Sequence, residues 1–221
     1  RAAFMDQLQR SIAYAARNQT QVSLLFVDVD RFKNINDSMG HQVGDELLRV
    51  VSTRLQDVVR RSDMLGRLGG DEFIVLLQDV QRDHDPARVS QKILDTLSRP
   101  CSLNGAEYRV TASVGIAVYP SDGMSADVLI KNADLAMYHA KSVGRNRYSY
   151  YAKDMDDQVA TSLDMENGLR LALEHHSLLV HYQPQVHVGK GIIGAEALVR
   201  WRCPNRGMVS PATFIPMAEE K

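Results

Sequence analysis

Few of the residues that mark a specialised protein class are present in this chain. Its 221 residues include two cysteines and one tryptophan, and aromatics make up 6%. Cys101 and Cys203 stand far apart in no metal-binding spacing, so neither a disulfide framework nor a cysteine cluster is expected; they read as reduced thiols of a cytoplasmic protein. No apolar run reaches the ~18 residues a membrane-spanning helix needs, and no signal peptide is recognisable. Neither charge sign dominates, with 26 basic against 27 acidic residues. No global field therefore attracts nucleic acid, and the aromatic–basic stripe of a single-strand binder is missing. There is no G-x-x-x-x-G-K-[ST], which excludes a P-loop enzyme. His41, His84, His175, His176, His181 and His187 fit no ligand spacing and read as surface or loop residues. Repeats and low-complexity segments are absent.

What is present is concentrated in two stretches. Arg67-Leu68-Gly69-Gly70-Asp71-Glu72-Phe73 precedes the apolar run Ile74-Val75-Leu76-Leu77, which predicts a hairpin with two glycines and two acids at its tip. A turn needs one or two residues tolerant of positive φ; it does not need adjacent carboxylates, which repel. Glycines let a bulky ligand approach the backbone, and acids beside them suit a hard cation. The alternative is a pair of turn acids facing water. Upstream, Val22-Ser23-Leu24-Leu25-Phe26-Val27 reads as a buried strand that ends in Asp28-Val29-Asp30 and runs into a helical segment. An acid at the end of a buried strand is a common ligand position in α/β folds. If the strands lie side by side, the two stretches make one two-carboxylate site.

These residues carry a family resemblance. Residues 28–45 read D-x-D-x-F-K-x-I-N-D-x-x-G-H-x-x-G-D, Gly69–Phe73 read G-G-D-E-F, and Lys141-Ser142-Val143-Gly144-Arg145-Asn146 closes the set. Together they resemble the GGDEF family of diguanylate cyclases over roughly residues 1–150. Glu166-x-x-Leu169-Arg170, Tyr182-Gln183-Pro184, Glu196-Ala197-Leu198-x-Arg200-Trp201 and Phe214-Ile215-Pro216-x-Ala218-Glu219 resemble the opening of an EAL phosphodiesterase domain. The expected domains are residues 1–152 (GGDEF) and 153–221 (the N-terminal fragment of EAL). The family's first motif, ending in Asn-Arg, is missing before Arg1, so the chain reads as an excised piece.

Hydrophobic periodicity predicts helices over Phe4–Arg17, Gly44–Arg60, Val89–Ser98, Ala126–Lys141 and Asp154–Glu174. Strands are predicted at 22–29, Met64–Arg67, Phe73–Gln78, Tyr108–Tyr119, Arg147–Tyr150, Leu178–Gln185 and Ile192–Trp201. The fold class is α+β, and the element order resembles the decorated ferredoxin-like palm of nucleotidyl cyclases, followed by an incomplete piece of an EAL β/α barrel.

The resemblance implies condensation of two GTP into cyclic di-GMP with release of pyrophosphate by a Mg²⁺- or Mn²⁺-dependent homodimer. Asp28, the Val29 carbonyl and Asp71 are the expected cation ligands. Asp71 and Glu72 are the catalytic candidates; which one acts as base stays open. Asn36 and Asp45 are expected to read guanine, whose N1–H and exocyclic amine are both donors; helix capping would explain either residue alone. Lys33, Lys141 and Arg145 are expected to hold the triphosphate, with macrodipole compensation the alternative for Lys141. Arg60 and Asp63 match the R-x-x-D product-inhibition site for cyclic di-GMP; basic residues ending a helix are the alternative. In the EAL segment, Glu196 matches a metal ligand, and Gln183 and Arg200 match dinucleotide contacts. A barrel needs ~250 residues, so no phosphodiesterase activity is expected of this segment. The other reading is a GTP-binding regulatory module that controls an adjoining phosphodiesterase. No nucleic-acid or membrane contact is expected.

Overall fold

Residues 22–29 consist almost wholly of β-branched and large apolar residues, a run with no polar face. Such a run is at home only in a strand covered on both sides. In the computed structural model, which describes residues 2–78 and 85–219, every residue of this strand is buried; His84 lies outside the described residues.

In chain order the first unit comprises α1 (Ala2–Asn18), β1 (Val22–Val29), α2 (Phe32–Met39), α3 (His41–Val58), β2 (Met64–Gly69), β3 (Glu72–Leu77), α4 (Pro86–Leu97), β4 (Cys101–Leu103), β5 (Ala106–Tyr108), β6 (Ala112–Tyr119), α5 (Ala126–Ser142) and β7 (Arg147–Tyr150). The five-stranded sheet runs β2-β3-β1-β6-β7. β1 is antiparallel to both β3 and β6, and only β7 is parallel to its neighbour. Without β7, the order is that of a ferredoxin-like core.

Period-two alternation assigns each β1 residue to a layer. Leu25, Val27 and Val29 pack with α2, α3 and α4 through Phe32, Leu47, Val51 and Ile93. Leu24 and Phe26 pack with α1 and α5 through Phe4, Leu8, Leu129 and Ala133. Asp28 and Asp30 share the parity of Leu24 and Phe26. They therefore belong to the α1/α5 layer, which decides which helix answers their charge.

Two expected elements differ. The single strand predicted over Tyr108–Tyr119 is two, β5 and β6, interrupted at residues 109–111, because Cys101–Tyr108 folds into its own β4–β5 hairpin. The helix expected from Gly44 begins earlier, at His41, directly after Gly40, whose φ of 84° ends α2.

The second compact unit spans residues 157–221. It contains most of α6 (Met155–Glu174), then β8 (Leu178–His187), β9 (Gly191–Cys203), β10 (Gly207–Val209) and α7 (Pro211–Glu219), with the sheet ordered β10-β9-β8. Its small core joins Ala172, Cys203, Val209 and Phe214 around Trp201, whose ring meets Phe214 edge-on at 5.7 Å. Both cysteines are buried and free. No described helix is long and apolar enough to cross a membrane.

Gly115 on β6 sets the distance between sheet and α5. A Cβ there would overlap the Ala133 carbonyl and the Met137 amide, both backbone. Gly115→Ala is therefore expected to lower unfolding stability by ~1–3 kcal/mol, the scale of core overpacking. Gly69→Ala, where an added Cβ meets nothing within 4 Å, should change it by less than ~0.5 kcal/mol. Equal losses for the two variants in urea denaturation would contradict this.

Candidate functional site

The site forms where β1 ends. Asp28 pairs in register with Glu72 of β3 on one side and Ser113 of β6 on the other. Directly opposed residues on an antiparallel sheet share a face, so two acids meet there. Asp28 is only 5% exposed. A cation from α5 answers it: Lys141 Nζ lies 2.8 Å from Asp28 Oδ1. Burial pushes the Asp28 carboxyl up to about 6 against the pull of Lys141, and the charges of Asp71 and Asp30 push the same way.

The β2–β3 turn is held over the end of β1. Gly70 has a φ of 49°, a left-handed conformation glycine adopts without strain. Arg67 clasps its carbonyl with Nε at 2.9 Å and Nη2 at 2.6 Å, and its guanidinium lies 6.0 Å from the Phe73 ring centre. A bulge between Arg67 and Gly69 turns the hairpin tip. The Val29 N–H donates to the Asp71 carbonyl at 3.4 Å. Asp28, Val29 and Asp71 are thus neighbours. Side-chain and carbonyl oxygens of these residues are of the kind a hard cation prefers. No group of three or more His, Cys, Asp or Glu side chains suited to a metal exists among the described residues. Two carboxylates and a carbonyl match a magnesium site whose remaining ligands are phosphates and water.

A second corner joins α2 to α3. Asn36 sits inside α2 and Asp45 inside α3, and neither helix start carries a side-chain cap; capping is not what these residues do. The Asn36 Oδ1 is buried without a hydrogen-bond partner. It lies against Gly44, where any Cβ would overlap it, with the Phe32 ring behind. An acceptor held dry and unused suits a ligand that brings a donor. Asp45 is exposed beside it, and Lys33 is exposed in the first turn of α2.

The turn after α5 has three successive positive φ values: 122° at Gly144, 59° at Arg145 and 47° at Asn146. The Arg145 N–H bonds to the Ala140 carbonyl at 3.0 Å and the Gly144 N–H to the Lys141 carbonyl at 3.3 Å. Lys141 and Arg145 therefore leave the same helix end. Lys141, expected on phosphate, is paired with Asp28.

Arg60 and Asp63 form a separate turn between α3 and β2. The Asp63 carboxylate accepts the Arg60 N–H at 3.0 Å and the Gln78 N–H at 3.4 Å, while Arg60 is exposed. In the second unit, Gln183 and Glu196 are exposed cross-strand partners, and Arg200 donates to the Val199 carbonyl at 2.9 Å.

Sequence reasoning missed Asp30. It is buried and accepts from the Thr111 and Ser113 hydroxyls and the Asn146 N–H. Its parity with Asp28 was a usable signal; its donors, far along the chain, gave none.

The family model described as diguanylate cyclase, GGDEF domain matches residues 1–147, and the EAL domain model matches residues 166–221. The bifunctional diguanylate cyclase/cyclic di-GMP phosphodiesterase MucR of Pseudomonas aeruginosa is 42% identical over 97% of this chain and 31% of its own length. The cyclic di-GMP phosphodiesterase NbdA of the same organism is 39% identical over 99% of this chain and 28% of its own. The chain thus spans about a third of the length of these relatives. Among solved structures, the GGDEF domain of TpbB (YfiN) from P. aeruginosa superposes with a TM-score of 0.70 at 35% identity, covering 72% of this chain and 94% of that one. The GGDEF domain of DgcB from Caulobacter crescentus, in complex with c-di-GMP, gives 0.62 at 30% identity, covering 68% and 89%.

The Asp28–Lys141 pair yields a stability test. Removing one partner of a buried ionic hydrogen bond leaves the other uncompensated. Lys141→Met should cost ~1–3 kcal/mol at neutral pH, and adding Asp28→Asn should restore most of it. Urea unfolding of the two single variants and the double variant reads the coupling; strictly additive losses would contradict the pairing.

Proposed function

The chain belongs to the GGDEF family, with the opening part of an EAL domain behind it, and from that premise we propose that its first unit condenses two GTP molecules into cyclic di-GMP and two pyrophosphates. The division of labour runs at residues 1–152 and 153–221. The observation that carries the reading is the β1–β3 register, which puts Asp28 opposite Glu72 and the Val29 amide on the Asp71 carbonyl.

Asn36 and Asp45 bind guanine. The unused Asn36 oxygen accepts from a base whose pairing edge carries donors, and adenine offers no such pair. A mismatched base leaves that buried acceptor unpaired, which costs ~1–3 kcal/mol. Lys33, Lys141 and Arg145 bind the triphosphate, with Lys141, the partner of Asp28, turning its ammonium to phosphate. Asp28, the Val29 carbonyl and Asp71 hold Mg²⁺ or Mn²⁺. Such a cation, when bound, offsets charge on the phosphates and the leaving pyrophosphate. Asp71 or Glu72 takes the proton from the 3′-hydroxyl, which then attacks the α-phosphorus of the other GTP. One protomer holds one nucleotide and the product is two-fold symmetric, so a symmetric homodimer supplies both halves. Arg60 and Asp63 bind the product away from the reacting centre and inhibit.

A second reading has a specific ground: NbdA, similar over almost the whole of this chain, is named as a phosphodiesterase. In it, the unit binds GTP and tunes an adjoining phosphodiesterase without turnover.

Incubation with GTP and Mg²⁺, followed by chromatography for cyclic di-GMP and a pyrophosphate assay, separates the two. Under the first reading both products form, and Asp71→Ala abolishes them while circular dichroism stays unchanged. GTP binding without either product selects the regulatory reading. For the product site, Arg60→Ala should weaken cyclic di-GMP binding in calorimetry by ~1–3 kcal/mol, the scale of one bidentate guanine contact. Unchanged affinity would remove Arg60 from that role.

A further inference from the structure

Asp30 has no part in the chemistry above, yet it is 5% exposed with three donors aimed at it. Thr111 Oγ1 donates to Oδ2 at 2.6 Å, the Asn146 N–H to the same oxygen at 3.2 Å, and Ser113 Oγ to Oδ1 at 2.7 Å. Its own N–H donates to the Thr111 carbonyl at 2.9 Å. A carboxylate has about four acceptor sites, and most of these are filled by protein donors. Asp30 is thus equipped to organise backbone, not to ligate a cation, although it stands two residues from Asp28.

The donors come from three places: the residue before β6, β6 itself, and the turn after α5. That turn has an uncommon backbone shape. Arg145 and Asn146 are non-glycine residues in the left-handed region, a conformation that persists only where surroundings enforce it. The Ala140 carbonyl fixes its near end through the Arg145 N–H; Asp30 fixes its far end through the Asn146 N–H.

We propose that Asp30 is a positioning residue for nucleotide binding: it clamps the 144–146 turn and so aims Arg145 at the triphosphate. This rests on the reading that Arg145 binds phosphate.

Calorimetric titration with 3′-deoxy-GTP, which cannot condense, tests it. Asp30→Ala should weaken binding about tenfold, the equivalent of losing one charge-assisted hydrogen bond. Asp30→Asn should bind nearly as the unmodified chain does, because its amide oxygen still accepts from Thr111 and Asn146 while its NH₂ donates to the Ser113 hydroxyl. In an Arg145→Ala background, Asp30→Ala should cost less than about twofold; in an Asn36→Ala background it should cost the full tenfold, since coupled residues are non-additive and independent ones add. A merely structural role predicts the same loss in both backgrounds. Should Asp30→Ala not fold, Thr111→Val replaces it, with a smaller loss and the same dependence on Arg145. Unweakened binding by the Asp30 or Thr111 variant, or an undiminished loss without Arg145, overturns the inference alone. Failure of the unmodified chain to bind the analogue overturns the nucleotide reading and this inference with it.

Discussion

Carboxylates carried into the protein interior by a strand with no polar face are the constraint on which the rest of this structure depends. β1 is buried from end to end and delivers Asp28 into the core, with Asp30 just beyond. A desolvated carboxylate costs several kcal/mol unless it is paired. Two solutions are used side by side. Asp28 takes a flexible cation from α5, a partner that can be exchanged. Asp30 takes hydroxyl and amide donors fixed by the fold, partners that cannot. The packing follows from these needs: α5 must lie close enough to its face of the sheet for Lys141 to reach the end of β1, and Gly115 provides the clearance.

Much of this was legible in the sequence because it is local. The apolar run of β1, the glycine-rich hairpin and the amphipathic α5 each announce themselves within a dozen residues, and period-two alternation alone puts Asp28 on the face of β1 that carries Leu24 and Phe26. What was not legible depends on distant partners. Nothing near Lys141 says that it pairs with Asp28. Nothing near Asn146 says that its N–H ends on Asp30. The interruption at residues 109–111 was also hidden, since β-branched residues on both sides read as one strand until the β4–β5 hairpin claims the first half. At Asn36 and Asp45 the local rule pointed elsewhere: both suit helix caps, but Gly40 does the capping by its backbone alone.

The α2–α3 corner pairs an omission with a provision. Gly44 has no Cβ, and the room this leaves is taken by the Asn36 amide. The two helices can therefore meet closely while a polar group is kept dry between them. A folded protein seldom leaves such an acceptor unpaired without compensation, and here Gly44 and the Phe32 ring lie against it.

The Arg67 clasp separates the shape of the hairpin tip from the chemistry of its side chains. Both guanidinium bonds go to the Gly70 carbonyl, and the bend at Gly70 needs no side chain. The bend at Gly70 is therefore set by backbone and by Arg67. Lengthening the acid at position 71 shifts an oxygen by one methylene against that scaffold. The tip behaves as an interchangeable socket, in which evolution can exchange aspartate for glutamate without refolding the turn that presents it.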